Sequence, residues 1–324
     1  MLRLLPILVA ALVLGACLPI PGLPPAPFLP PPRPRTTLGP SVPPLARLGR
    51  YVDGRFERVS ARSLPPSHLY VLVHGWAPGW FHRPGVDRTA PSWASEDATG
   101  RPFEPWVGEL AAAITRVDPH AVVVAYSWLE DAVTGRFFLA QRRAYAATNL
   151  HGDILADALE DATGLEFAAR HGQVHLIGHS FGARVAAFAA LRIRPRQLTL
   201  FDPPDTAVTY MTGTPARLAP VLRGLPLGPN PGEVFVDNYV SAVGGTYHHR
   251  AGLAGVVDVA LAPPYGIADY TRRHVYAPEF YAHTANRDYG FGWSRLLARV
   301  PPPEPACYAQ LYGELRLVRG CPGG

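Results

Sequence analysis

Short, mostly apolar runs recur along the chain at residues 69–73, 121–128, 174–177, 198–201 and 233–243. Runs of this length predict strands buried on both faces, as in a parallel sheet. The intervening segments change period. Residues 103–117 carry Trp106, Leu110, Ala113, Ile114 and Val117 at helical spacing and stop before Pro119. The alanine-rich stretch 137–169 predicts one or two helices, and 183–191 predicts another. Strand alternating with helix predicts an α/β domain, a mostly parallel central sheet with helices on both faces. In such sheets ligands meet the carboxyl ends of the strands, so the residues that follow each run carry the candidate chemistry.

Two regions fall outside this alternation. Residues 77–101 are rich in Pro, Gly, Ser and charge and predict a long loop; Trp76, Trp80, Phe81 and Trp93 fit either an apolar flap over a site or anchors into the core. The N-terminal segment, 1–16, has Arg3 followed by the apolar run 4–14, too short to span a bilayer as a permanent helix. Leu14-Gly15-Ala16-Cys17 resembles the lipobox of bacterial lipoproteins. That resemblance implies cleavage before Cys17, lipidation of Cys17 and, with Leu18 next, an outer-membrane address; an ordinary secretory signal cut near Ala16 is the alternative. Residues 17–44 are crowded with proline and predict an extended, semi-rigid linker. The α/β domain is then expected over 45–324.

Composition narrows the picture further. The formal charge of the 324 residues is +5, and all the Lys+Arg residues are arginines, with no basic run interleaved with aromatics. A nucleic-acid partner is not expected. Cys307 and Cys321 form a candidate disulfide in an exported protein, or are two separate thiols. They lack the His/Cys spacing of a metal site, and no metal or cofactor is expected.

The residues ending the strands carry the functional signal. Gly178-His179-Ser180-Phe181-Gly182 lies between a strand and a helix. A serine on so tight a turn projects its hydroxyl clear of the backbone, and two glycines allow strand and helix to approach. The helix N-terminus behind Ser180 is suited to an oxyanion. Serine needs a base, usually a histidine oriented by a carboxylate, in the order Ser, acid, His. Asp202 ends the next strand and is the preferred acid, ahead of Asp237 and Asp205. His274, placed in a loop before a helical stretch at 279–285, is the preferred base, ahead of His283, His248 and His249. Gly75, after the strand 69–73, turns backbone N–H groups toward the same edge.

Taken together, Val73-His74-Gly75-Trp76, Gly178-His179-Ser180-Phe181-Gly182-Ala183 and Leu200-Phe201-Asp202-Pro203 resemble the oxyanion loop, the nucleophile elbow and the acid segment of the α/β-hydrolase superfamily, lipase and esterase branch. The resemblance covers roughly 69–294. It implies an α/β-hydrolase fold, a Ser180–Asp202–His274 triad and an oxyanion hole made by the N–H groups of Trp76 and Phe181. It also implies cleavage of carboxylic esters through an acyl-enzyme, with an ester or lipid as substrate. The cysteine pattern and C-terminal domain of pancreatic-type lipases are missing. An acyltransferase, or a non-catalytic envelope protein using the fold for binding, are the alternatives.

Overall fold

The structure is a computed structural model that describes residues 42–65, 68–77, 79–132, 137–164, 173–204 and 218–321. Cys17, the signal segment and nearly all of the linker lie outside the described residues, as does Asp205. The first described element is a 3₁₀ turn, Pro44–Arg47.

Ten strands form one sheet: β1 (Leu48–Val52), β2 (Arg55–Arg58), β3 (Leu69–Val73), β4 (Val122–Tyr126), β5 (Val174–His179), β6 (Gln197–Phe201), β7 (Phe235–Val240), β8 (Val256–Ala260), β9 (Cys307–Leu311) and β10 (Glu314–Val318). Their order across the sheet is β10-β9-β8-β7-β6-β5-β3-β4-β1-β2. From β4 through β9 every pairing is parallel. Antiparallel hairpins, β1–β2 and β9–β10, close the two edges. The longer helices are α1 (Trp106–Val117), α2 (Phe137–Thr163), α3 (Phe181–Ile193) and α4 (Tyr270–His283).

The central strands β3 to β7 are largely apolar because both faces are covered. Along β3, Val71 and Val73 pack with Leu176, Leu198 and the helices α2 and α3. Tyr70 and Leu72 point the other way, into a cluster with Ile177, Phe201, α1 and α4. This period-two division follows from the pleat. All five runs are strands: 69–73 is matched, 174–177 and 198–201 are extended by two residues and one, and 121–128 and 233–243 are trimmed by one to three residues at each end. Outside those runs β1, β2, β8, β9 and β10 also join the sheet; the edge strands β2 and β10 are largely exposed, so no buried apolar run marks them. The stretch 77–101 forms short 3₁₀ turns, and its tryptophans are anchors: Trp80 packs on Phe103 and Leu129, and Trp93 donates through Nε1 to the carbonyl of Arg47. Among the described residues no helix is long and apolar enough to cross a membrane.

Cys307 and Cys321 are bonded, with Cα atoms 5.1 Å apart, so the disulfide fastens the start of β9 to the chain beyond β10. β9 is four strands from β5, about 19 Å at sheet spacing. Closing a segment of this length with a cross-link stabilises a fold by about 3 kcal/mol. Cys321→Ser is therefore expected to lower the unfolding free energy by about that amount in a denaturant titration, with chemistry at the β5 edge unchanged.

Candidate active site

Register brings the strand ends into one row. Val73 pairs with Gly178, His179 with Phe201, and Phe201 with Tyr239. Each strand then hands over to a candidate group: β3 to His74-Gly75-Trp76, β5 to Ser180, β6 to Asp202.

Ser180 takes φ +54° and ψ −126°, outside the ordinary regions for a side-chain-bearing residue. Its N–H donates to the carbonyl of Phe201 at 2.9 Å, and its own carbonyl accepts from Ala183 at 3.0 Å. The turn is closed by glycine: a Cβ on Gly182 would collide with the carbonyl oxygens of Val73 and His74. Helix α3 thus rests directly on the end of β3. Phe181 is its first residue, and its N–H is among the amides an α-helix leaves without internal partners.

The other half of the expected oxyanion hole is oriented by His74. Its Nδ1 lies 2.8 Å from the carbonyl of Gly75, and its Nε2 accepts from the N–H of Trp128 at 3.1 Å. Nδ1 therefore carries the proton. Burial pushes this imidazole down to about 4 and keeps it neutral, against the pull of Glu104. A trans peptide points its C=O and N–H in opposite directions. With the Gly75 carbonyl held by His74, the N–H of Trp76 faces the other way. A Cβ on Gly75 would lie 2.9 Å from the Cβ of Ser180, and the rings of Trp76 and Phe181 are 6.0 Å apart.

Asp202 is fully buried at φ +44°. Its Oδ1 accepts from the N–H groups of Ser241, Ala242, Val243 and Gly244 at 2.8–3.1 Å, and its Oδ2 lies 2.6 Å from Nδ1 of His274. Burial pushes its carboxyl up, but His274 and the amides outweigh it and hold the group below its usual range. His274 is not in a loop. It lies in the second turn of α4, whose N-cap is Asp269, accepting from the N–H of Arg272. His283 ends the same helix, exposed, with Nδ1 on the carbonyl of Glu279 at 2.7 Å. His248 is bound to the carbonyl of Val256.

Asp237, the competing acid, belongs to a different network. It accepts from Thr199 at 2.6 Å, Gln197 at 3.1 Å and Tyr239 at 3.0 Å, within the sheet and away from His274. Two side chains at the site, Glu104 and Pro278, carry no signal in the sequence pattern, and His179 enters it only as a member of the elbow motif. Glu104 accepts from Trp106 Nε1 and from His179, and His179 reaches the carbonyl of His274. Glu104 sits in an aperiodic bend, so no spacing announces it.

The elbow after β5, the acid after β6 and the histidine beyond β8 sit on one edge of a mostly parallel sheet. This is the α/β-hydrolase fold. No protein-family model matches the chain. Its sequence is similar to the lipoprotein lipases of Sus scrofa and Bos taurus, each 28% identical over 158 residues, 48% of this chain and 27% of the relative. The match thus spans well under two thirds of those relatives. Solved structures similar in shape include an α/β serine hydrolase without a lid from Xanthomonas campestris, with TM-score 0.33 and 15% identity over 76% of this chain and 91% of that one. Another is LpqC, a poly(3-hydroxybutyrate) depolymerase from Bordetella parapertussis, with TM-score 0.28 and 14% identity over 78% and 86%.

Asp237 gives a test of the electrostatics. Burial, only partly offset by its three donors, pushes its carboxyl from 3.8 up to about 6. The folded protein then binds this proton more tightly than the unfolded chain, so the contribution to stability is full below pH 4 and is lost as pH rises toward 6. Relative to Asp237→Asn, the wild type is expected to lose about 2 kcal/mol between pH 4 and pH 7 in paired denaturant titrations.

Proposed function

We propose that the chain is a serine hydrolase of carboxylic esters. The observation that carries this reading is the Asp202–His274 hydrogen bond at the same sheet edge as a serine held on a strained strand-to-helix turn. With Nδ1–H donated to Asp202, the Nε2 of His274 is left as the acceptor for the proton of Ser180.

In this reading Ser180 Oγ attacks the ester carbonyl carbon while His274 Nε2 takes its proton. Negative charge develops on the carbonyl oxygen and is met by the N–H groups of Trp76 and Phe181 and by the positive end of helix α3. Asp202 keeps the imidazole in the required tautomer and stabilises the imidazolium. Collapse of the tetrahedral intermediate breaks the C–O bond, and His274 protonates the departing alcohol. Water, deprotonated by His274, then attacks the acyl-enzyme, and the carboxylic acid leaves as Ser180 recovers its proton. The four backbone amides on Asp202 suit it to remain ionised throughout.

The likeness to lipoprotein lipases favours a lipid ester as substrate. The lipobox-like segment ending at Cys17 adds a location: a lipid-anchored protein of a bacterial cell envelope, held from the outer membrane by the proline-rich linker. Such tethering brings the enzyme alongside lipid substrates.

The test is hydrolysis of p-nitrophenyl esters of increasing chain length. Ser180→Ala and His274→Ala are each expected to lose at least about 10⁴-fold in kcat, and Ser180→Ala to lose labelling by a fluorophosphonate. His283→Ala is expected to stay near wild type. Activity surviving in Ser180→Ala would reject the mechanism.

A further inference from the structure

The pair Glu104–His179 has no step in the mechanism above, yet it touches the groups that do. Glu104 is largely buried in the bend before α1, at φ +47°. It accepts from Trp106 Nε1, and at 3.2 Å from Nδ1 of His179. On the far side of the ring, Nε2 of His179 lies 3.0 Å from the backbone carbonyl of His274. A ring with acceptors at both nitrogens donates from both, so it is an imidazolium paired with a carboxylate. Burial pushes His179 down, but Glu104 outweighs it and raises the group; burial also pushes Glu104 up, yet the His179 charge brings it down to about 2. The rings of His179 and His274 are 4.6 Å apart. The turn bearing the Trp76 N–H lies against the same pair, since a Cβ on Gly75 would be 3.2 Å from both Glu104 Oε1 and His179 Nδ1.

The carbonyl that His179 grasps is open for a reason written in the chain. Within an α-helix the carbonyl of residue i accepts from the N–H of residue i+4. Four residues beyond His274 stands Pro278, inside α4, with no N–H to give. The His274 carbonyl therefore lacks its helical donor, and His179 supplies one from the strand that carries the nucleophile.

We propose that His179, held by Glu104, is a positioning residue that fixes the backbone of His274 through the carbonyl Pro278 leaves open, and so sets the reach of the His274 imidazole toward Ser180. This rests on Ser180 and His274 being nucleophile and base. The charged and titratable groups around His179 are Glu104 from the bend before α1, His274 from α4, Asp202 from the end of β6 and His74 from the end of β3. Misplacing a base by about 1 Å costs on the order of 100-fold in rate.

The experiment compares kcat, KM and melting temperature for wild type, His179→Gln, His179→Leu, Glu104→Gln and Ser180→Ala on one p-nitrophenyl ester. His179→Leu, which cannot donate, is expected to lose roughly 30- to 100-fold in kcat with KM nearly unchanged. His179→Gln keeps an amide N–H for the carbonyl and is expected to retain most of the rate. Both variants are expected to melt below wild type, His179→Leu the lower because it leaves the buried Glu104 carboxylate without its partner, so kcat is compared at a temperature where both are fully folded. A ring that only filled space would then give the same kcat in the two folded variants. Equal kcat for His179→Gln and His179→Leu, or wild-type kcat in His179→Leu, overturns the proposal. Should His179→Leu fail to fold, Glu104→Gln decides: kcat reduced several-fold at unchanged KM upholds the proposal, and unchanged kcat overturns it. Full activity in Ser180→Ala would instead reject the underlying reading of the site, whatever the His179 variants do.

Discussion

The site depends on how closely α3 approaches the end of β3. A single methyl at Gly182 would occupy the space of the Val73 and His74 carbonyls. That contact brings the amide of Phe181 and the turn at Gly75 to the same serine. It also maintains the Ser180 backbone, whose conformation costs on the order of 1–3 kcal/mol and persists because strand, helix and the bond to Phe201 all fix it. The groups proposed to meet an oxyanion are therefore carried on rigid elements, which is what catalysis by preorganised dipoles requires.

Two buried aspartates on neighbouring strands show how environment assigns roles. Asp202 and Asp237 are equally inaccessible. Asp202 faces four backbone amides and an imidazole and is held below its ordinary value; Asp237 faces two hydroxyls and an amide and is pushed above it. Burial acts on both in the same sense. The difference lies in the number and charge of the donors, because a carboxylate met by several N–H groups is stabilised as the anion. Only Asp202 has the stable negative charge that suits it to hold an imidazolium.

Strands buried on both faces were legible in the sequence because a short, mostly apolar run between turn residues has no continuous polar side to turn toward water, and β3 through β7 fall where the runs lie. The elbow was legible because its glycines and serine obey a local steric rule. Edge strands β2 and β10 were not, since exposed strands lack the apolar signature. Asp202 and the turn at Gly75 stood out by their position after strands, whereas the Trp76–Phe181 pair was implied only by the family resemblance. His274 does meet Asp202, but from a helix and not from a loop: Pro278 reads as a helix breaker, and the helix runs through it, nucleated by the Asp269 cap. Glu104 and His179 were invisible as a pair: 75 residues separate them, and only the sheet brings them together.

The charge of that pair explains why a glutamate stands behind the histidine. A neutral imidazole has one N–H and would bind either Glu104 or the His274 carbonyl, not both. A carboxylate at one nitrogen retains the second proton, and the other nitrogen then donates as a cation, a stronger and shorter bond than a neutral donor makes. Because the two charges sit side by side they nearly cancel at longer range, so the pair supplies a firm donor to the backbone while adding little net field at the reacting atoms. Asp202 then remains the uncompensated charge beside His274, which lets one carboxylate govern the imidazolium while the other governs where that ring stands.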